Sequence, residues 1–276
     1  MVVADLHVHT TNSDGTLDLD EVPEAARRAG IDAVAVTDHD RPHPDLDAPV
    51  TTVGAADAGD EVTIVHGIEL RVEADRQRVD LLGYGLDPTP ALREECDRIQ
   101  QDRAERGARI VERIEDHLGI ELDLEPRPGL GRPHIARAVA EHPAVDYDVQ
   151  GVFDELIGDG RPCFVAREIP SFETGRRLLQ DASQVVGLAH PLRYDDPEAA
   201  LALTADLDAV ERWYPYDRPV DPEDPTAVEG DLDLVERAIE QYDLLPTGGS
   251  DAHGTELGTA GLDGGSWERI AAALEG

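Results

Sequence analysis

The sequence predicts an α/β protein, a barrel of strands and helices interrupted by an inserted helical segment. Three observations predict it. Seven short apolar runs are suited to strands, helical periodicity lies between several of them, and a long stretch bordered by Pro and Gly carries no strand signal. Residues 1–88 and 171–276 are therefore expected to form one discontinuous barrel domain, and 89–170 an inserted, mostly helical cap.

The elements follow in order. Residues 2–8 read as the first strand, and 19–28 as a helix closed by Gly30. Strands follow at 32–37, 63–69 and 78–84. Several are near-continuous apolar runs, as expected of parallel strands covered on both faces. The middle then turns helical, with a long charged amphipathic helix over 90–118, a turn through 125–131, and shorter helices over 133–141 and 151–158. Strands resume at 185–189, 207–213 and 244–248, with helices at 231–242 and 266–274 and an Asp- and Pro-rich loop over 214–231.

Composition narrows the function classes. The 276 residues carry 60 Asp plus Glu against 24 basic side chains, every one of them arginine, for a formal net charge of −36. Such a surface repels itself in dilute buffer and is relieved where the Debye length shrinks to about 3 Å in molar salt, so the chain reads as haloadapted. No basic stripe is present to hold duplex DNA by its phosphates, whereas a small phosphorylated substrate escorted by metal ions is compatible. No apolar run approaches the ~18 residues of a membrane span and no export signal is visible, so a cytoplasmic protein is expected. Cys96 and Cys163, far apart and outside any C-x-x-C pattern, are expected to be free thiols.

The chemistry sits at the ends of the strand-like runs. His7 and His9 in ADLHVHT are spaced i, i+2, so a strand points both to one side. His39 closes VAVTDHD, where an apolar run leads directly into polar residues, and Glu69 ends TIVHGIEL, where a buried carboxylate needs a charged or metal partner. Asp14 in NSDGT, His190 in VGLAHP, and Asp251 and His253 in GGSDAH complete the set, the glycines before Asp251 permitting close backbone approach. Imidazole and carboxylate together suit manganese, iron and zinc, and strand ends carrying them would converge on a polynuclear centre. Outside this set, His43, His66, His117 and His142 read as solvated loop or helix residues.

The ordered series DLHVHT, NSDGT, TDHD, GIEL, AHP and GSDAH resembles the PHP (polymerase and histidinol phosphatase) family of metal-dependent phosphoesterases. The NSDGTL and GRPHIAR segments and the helical insertion resemble its branch of nucleoside 3′,5′-bisphosphate phosphatases and 5′-to-3′ exoribonucleases. The resemblance implies a distorted seven-stranded (β/α)7 barrel with two or three divalent metal ions, manganese foremost and iron, zinc or magnesium as alternatives. It assigns His7, His9, Glu69 and Asp251 to one metal and Asp14, His39 and His253 to another, with Asp14, His39, Glu69 and His253 at the reacting centre. A third metal would share Glu69 and take His190. Where the branch carries a further His ligand, this chain has Asp80, a harder donor that either shifts preference toward manganese or magnesium over zinc or leaves the metal weakly held. Arg132, His134 and Arg193 are implied as phosphate contacts.

The activity expected is hydrolysis of a phosphate ester by metal-activated water, on a nucleoside 3′,5′-bisphosphate or a short single-stranded RNA end. Another phosphatase of the same chemistry, acting on a substrate like histidinol phosphate, and a metal-binding accessory domain with little turnover are the alternatives.

Overall fold

In a computed structural model of the chain, all residues are described except 55–60, 76, 126–129, 217–226 and 276, with backbone alone for 227–231. Eight strands form one sheet: β1 (Ala4–Val8), β2 (Ala33–Val36), β3 (Val50–Val53), β4 (Val62–Glu73), β5 (Arg78–Tyr84), β6 (Val185–Leu188), β7 (Ala209–Trp213) and β8 (Leu245–Gly248). Their order is β1-β2-β4-β5-β6-β7-β8, with β3 pairing β4 off this path. The pairs β1–β2, β2–β4, β6–β7 and β7–β8 are parallel, while β5 runs antiparallel to both neighbours.

β4 explains this mixture. Its first half pairs β2, with Val36 opposite His66, and its second half pairs β5 from Gly67 opposite Tyr84 to Glu73 opposite Arg78. Only residues 74–77 connect β4 to β5, closed by the Ala74 N–H donating to the Gln77 carbonyl at 2.9 Å, which is too short for a parallel crossover. The result is a curled α/β sheet with helices, departing from a regular βα repeat at this hairpin. β3, an exposed VTTV edge, was not among the expected strands, because no apolar face marks it.

Helix termini follow local chemistry. α1 (Val22–Ala29) has Pro23 in its first turn and ends on Gly30 at φ 70°, a left-handed conformation that suits glycine. α5 (Phe172–Gln180) and α8 (Gly264–Leu274) start on Ser171 and Asp263, whose side chains accept from the N–H of Thr174 and Ser266. α6 (Pro197–Ala202) is capped the same way by Asp196; neither it nor α5 was expected from periodicity. α7 (Ala227–Tyr242) begins earlier than expected, and much of the loop expected over 214–231 lies outside the described residues.

The chain divides into two compact units, Met1–Arg93 with Pro170–Gly276, and Glu94–Ile169. In the first, Leu6, Ala35, Val65, Leu82, Ala189, Ala209 and Ile270 belong to one buried apolar cluster, and Val8, Val34, Val36, Ala26 and Ile64 to another. The second has its own core, in which Ile110 and Ile114 of α2 (Pro90–Leu118) meet Ile135 and Val139 of α3 (Arg132–Ala140) and Val152 of α4 (Val149–Val152). The helix expected over 151–158 is instead α4 followed by a wide π-type turn, Phe153–Ile157. Cys96 and Cys163 are buried and form no disulfide. Among the described residues, no helix is long and apolar enough to cross a membrane.

Candidate metal centre

Parallel strands place their carboxyl ends on one side of a sheet, and the polar residues of the first unit gather there. His7 and His9 close β1, His39 follows β2, Glu69 lies within β4, His190 follows β6, and Asp251 and His253 follow β8. Asp80 joins from near the start of β5, because an antiparallel strand presents its opposite end to that side. Backbone bonds hold the rim: the His9 N–H donates to the Ala252 carbonyl at 2.9 Å, and the Ala252 N–H to the His7 carbonyl at 3.2 Å. Gly249 makes this approach possible, since a Cβ there would sit 2.4 Å from the Cβ of His7.

Glu69 is the hub. Its Oε2 lies 2.7 Å from His39 Nδ1 and 3.5 Å from His9 Nε2, and its Oε1 lies 3.0 Å from His190 Nε2 and 3.5 Å from His7 Nε2. Asp251 Oδ1 is 3.0 Å from His9 Nε2 and 3.5 Å from His7 Nε2. Asp14 sits 3.3 Å from His253 Nε2 and 3.8 Å from His39 Nε2. Three groups thus have donor atoms within 4.8 Å of one another: His9, Asp14, His39 and His253; His7, His9 and Glu69; and Glu69, Asp80 and His190.

These contacts do not satisfy the atoms they bring together. His7 Nε2, both ring nitrogens of His9, Glu69 Oε2 and Asp251 Oδ1 are buried without a hydrogen-bond partner. Each such atom costs roughly 1–3 kcal/mol if left so, and a divalent cation would repay it. The donor set therefore fits metal. Positive φ at His190 (27°) and Asp251 (51°) adds local strain that tertiary contacts must hold in place.

Electrostatics follow the same layout. Burial opposes ionisation of Glu69, but His39 and His7 beside it hold its carboxyl well below the usual range. Burial likewise opposes a charge on His39, yet Glu69 and Asp14 push its imidazole up to about 9. Burial lowers His9, and neighbouring His39 lowers it further. A cation would compete with protons for these imidazoles and carboxylates.

Outer residues orient the inner ones. The wholly buried Glu211 of β7 lies 3.0 Å from His7 Nδ1 through Oε1 and accepts the His190 N–H at 2.7 Å through Oε2. That contact favours the tautomer with a proton on Nδ1, leaving Nε2 to face Glu69 and Asp251. His253 Nδ1 is similarly placed 2.9 Å from the Asp251 carbonyl. Asp38 accepts from the Thr10 N–H and from the hydroxyls of Thr10 and Ser13, shaping the loop that carries Asp14. Asp5 accepts from the N–H of His7, Ser250 and Gly258, tying β1 to the GSDAH segment. At the rim, the Tyr214 hydroxyl donates to Asp251 Oδ2 at 2.7 Å, and Arg193, its side chain 54% exposed, donates to the same oxygen at 3.2 Å.

The structure brings nine expected ligand residues together, with Arg193 beside them. Asp80 is present but engaged, its two oxygens receiving Arg71 Nε at 2.7 Å and Nη2 at 2.6 Å. Arg132 and His134 stand together in the first turn of α3 in the second unit, Arg132 paired with Asp159 at 3.5 Å and His134 Nδ1 accepting the Gly131 N–H at 3.2 Å. Of the histidines expected to be solvated, His66 within β4 and His43 in the segment after β2 prove buried. Sequence reasoning missed Glu211, Tyr214 and Arg71. A carboxylate within the apolar AVERW run was the available signal for Glu211.

Convergent strand ends, a shared buried glutamate and five clustered imidazoles define a centre suited to holding divalent metal ions. The chain belongs to the PHP domain family, whose model matches residues 5–147, more than half its length. It is 29% identical over 202 residues to a 3′,5′-nucleoside bisphosphate phosphatase of Chromobacterium violaceum, covering 71% of this chain and 69% of that one. A 5′-3′ exoribonuclease of Haemophilus influenzae is 28% identical, covering 69% of each chain. A phosphoribosyl 1,2-cyclic phosphate 1,2-diphosphodiesterase of Eggerthella lenta is 28% identical and spans more, 92% of this chain and 95% of that one. Among solved structures, one assigned as a metal-dependent phosphoesterase from Bifidobacterium adolescentis superposes with a TM-score of 0.73 at 26% identity, covering 99% and 96% of the two chains.

Proposed function

We propose that this protein removes the 3′-phosphate of a nucleoside 3′,5′-bisphosphate, trims the 5′ end of short RNA, or does both, by metal-activated water. The observation that carries the reading is the set of buried imidazole and carboxylate atoms around Glu69 that lack hydrogen-bond partners. His7, His9, Glu69 and Asp251 would hold one cation, and Asp14, His39 and His253 another, manganese foremost. Bound divalent cations would supply Lewis-acid charge to the phosphoryl oxygens and acidify a water. The protein's own residues do the rest. Glu211 fixes the donor face of His7, and Tyr214 and Arg193 hold Asp251 in place. Arg193, exposed beside the centre, offers N–H groups to a phosphate, and Arg132 and His134 are assigned the second phosphate of the substrate. The enzyme works in a salt-rich cytoplasm in this reading.

A second reading, a cyclic phosphodiesterase, is favoured by the nearly full-length match to the Eggerthella lenta protein. Rates on a nucleoside 3′,5′-bisphosphate, the matching monophosphate, a 1,2-cyclic ribosyl phosphate and a 5′-phosphorylated oligoribonucleotide, measured in molar KCl, decide between them. The bisphosphate should far exceed the monophosphate, and Arg132→Ala should remove about 10- to 150-fold of that preference, the value of one charge-assisted contact. Equal rates on both, or an Arg132→Ala loss common to both, would reject two-phosphate recognition. A clear preference for the cyclic ester would move the assignment to the second reading.

A further inference from the structure

We propose that the Arg71 guanidinium, clamped on Asp80, takes the place of a third cation beside Glu69, so that this centre is built for two metal ions. The inference rests on the metal-centre reading above and concerns how many ions that centre holds. All three groups of donors contain buried atoms without hydrogen-bond partners, Glu69 Oε2 and His190 Nδ1 in the third. The third group, Glu69, Asp80 and His190, differs in its carboxylate. Both Asp80 oxygens receive a guanidinium nitrogen, at 2.7 and 2.6 Å, and Asp80 is only 1% exposed.

The clamp is built into the sheet. Arg71 and Asp80 are directly opposite in the β4–β5 ladder, where side chains of facing residues share one face. The Arg71 N–H donates to Asp40 Oδ1 at 3.0 Å, and the Asp80 peptide nitrogen lies 2.8 Å from the Tyr194 hydroxyl, so both backbones are held. A bidentate guanidinium and carboxylate pair of this kind is preorganised and cannot release its charge as a proton near neutral pH. A divalent ion ligated by Asp80 would lie next to an oxygen already in contact with that cation, and the two positive charges would repel at short range beside the buried carboxylate. His190 Nε2, the remaining imidazole of the group, rests on Glu69 Oε1 at 3.0 Å and lies 3.7 Å from Asp80. The permanent charge of Arg71 thus supplies beside Glu69 what a third ion would otherwise supply. The charge of Asp80 raises the guanidinium above its ordinary range, burial opposes this, and Glu69 and Asp40 add to the rise.

Metal content tests this directly. Metal-depleted protein is loaded with Mn2+ in molar KCl, freed of excess ion, and analysed for manganese per chain, with anomalous diffraction to place the ions. The parent should hold two equivalents, and Arg71→Lys, which retains the charge, should also hold two. Arg71→Ala should take up a third, and so should the double variant Arg71→Gln with Asp80→His, which removes both charges of the clamp. Three equivalents in the parent, fewer than two in the parent, or a folded Arg71→Ala that stays at two would overturn the inference, and the parent count decides if a variant does not fold. Two ions without turnover on any phosphate ester would leave the inference standing and remove the functional reading. Three ions with metal-dependent turnover would do the reverse.

Discussion

Replacing Glu211 by Gln separates the role of an outer carboxylate from that of the ligands themselves. Glu211 is fully buried, its Oε1 lies 3.0 Å from His7 Nδ1, and its Oε2 accepts the His190 N–H at 2.7 Å. A Gln fits the space but has only one acceptor oxygen, so its amide N–H would confront one of these two donors. If the His7 contact is lost, the imidazole is free to change tautomer, with a proton on the nitrogen that should face the metal. Loss of such an orienting partner costs 10- to 100-fold in metal affinity, equivalent to about 1.4–2.8 kcal/mol. Competitive Mn2+ titration should show this weakening, while hydrolysis at saturating Mn2+ stays within a few-fold of the parent. Unchanged affinity, or a rate loss that saturating metal does not restore, would refute the argument that Glu211 acts through His7.

Two further outcomes follow from charge and burial. With a formal charge of −36, the protein should melt at higher temperature in molar KCl than in dilute buffer, and a melting temperature that is flat or falls would contradict haloadaptation. Burial, with His43 and Arg93 nearby, lowers His66 from 6.5 to about 4, so the unfolded chain takes up its proton first as pH falls. Stability from this residue is complete above pH 6.5 and declines toward pH 4 by about 3 kcal/mol, an effect that denaturant unfolding of metal-depleted His66→Leu in molar KCl should lack. An identical decline in parent and variant would discard it.

Much of the centre was legible because its ligands sit where period and polarity change together. An i, i+2 histidine pair at the end of an apolar run can face only one way, and His39, Glu69 and His190 each interrupt or follow a run that otherwise seeks the core. What was not legible depends on which strands become neighbours. Glu211 looks like any polar residue in a short strand until β7 is placed beside β6 and within reach of His7. Arg71 and Asp80 meet only once the β4–β5 register is fixed, and sequence reading made that hairpin two unrelated strands. His66 was misjudged because a histidine among apolar neighbours carries no mark of whether its imidazole meets solvent. β3 went unseen because its four residues are exposed and bury no face.

The most direct test of the account is metal-titrated hydrolysis. Protein stripped by chelation, with metal loss verified by elemental analysis, should release no phosphate from a nucleoside 3′,5′-bisphosphate in molar KCl. Adding Mn2+ should restore turnover, more fully than Mg2+ does, while Glu69→Ala given the same Mn2+ should remain several orders of magnitude slower. Undiminished phosphate release by the stripped protein would contradict the metal-centred account.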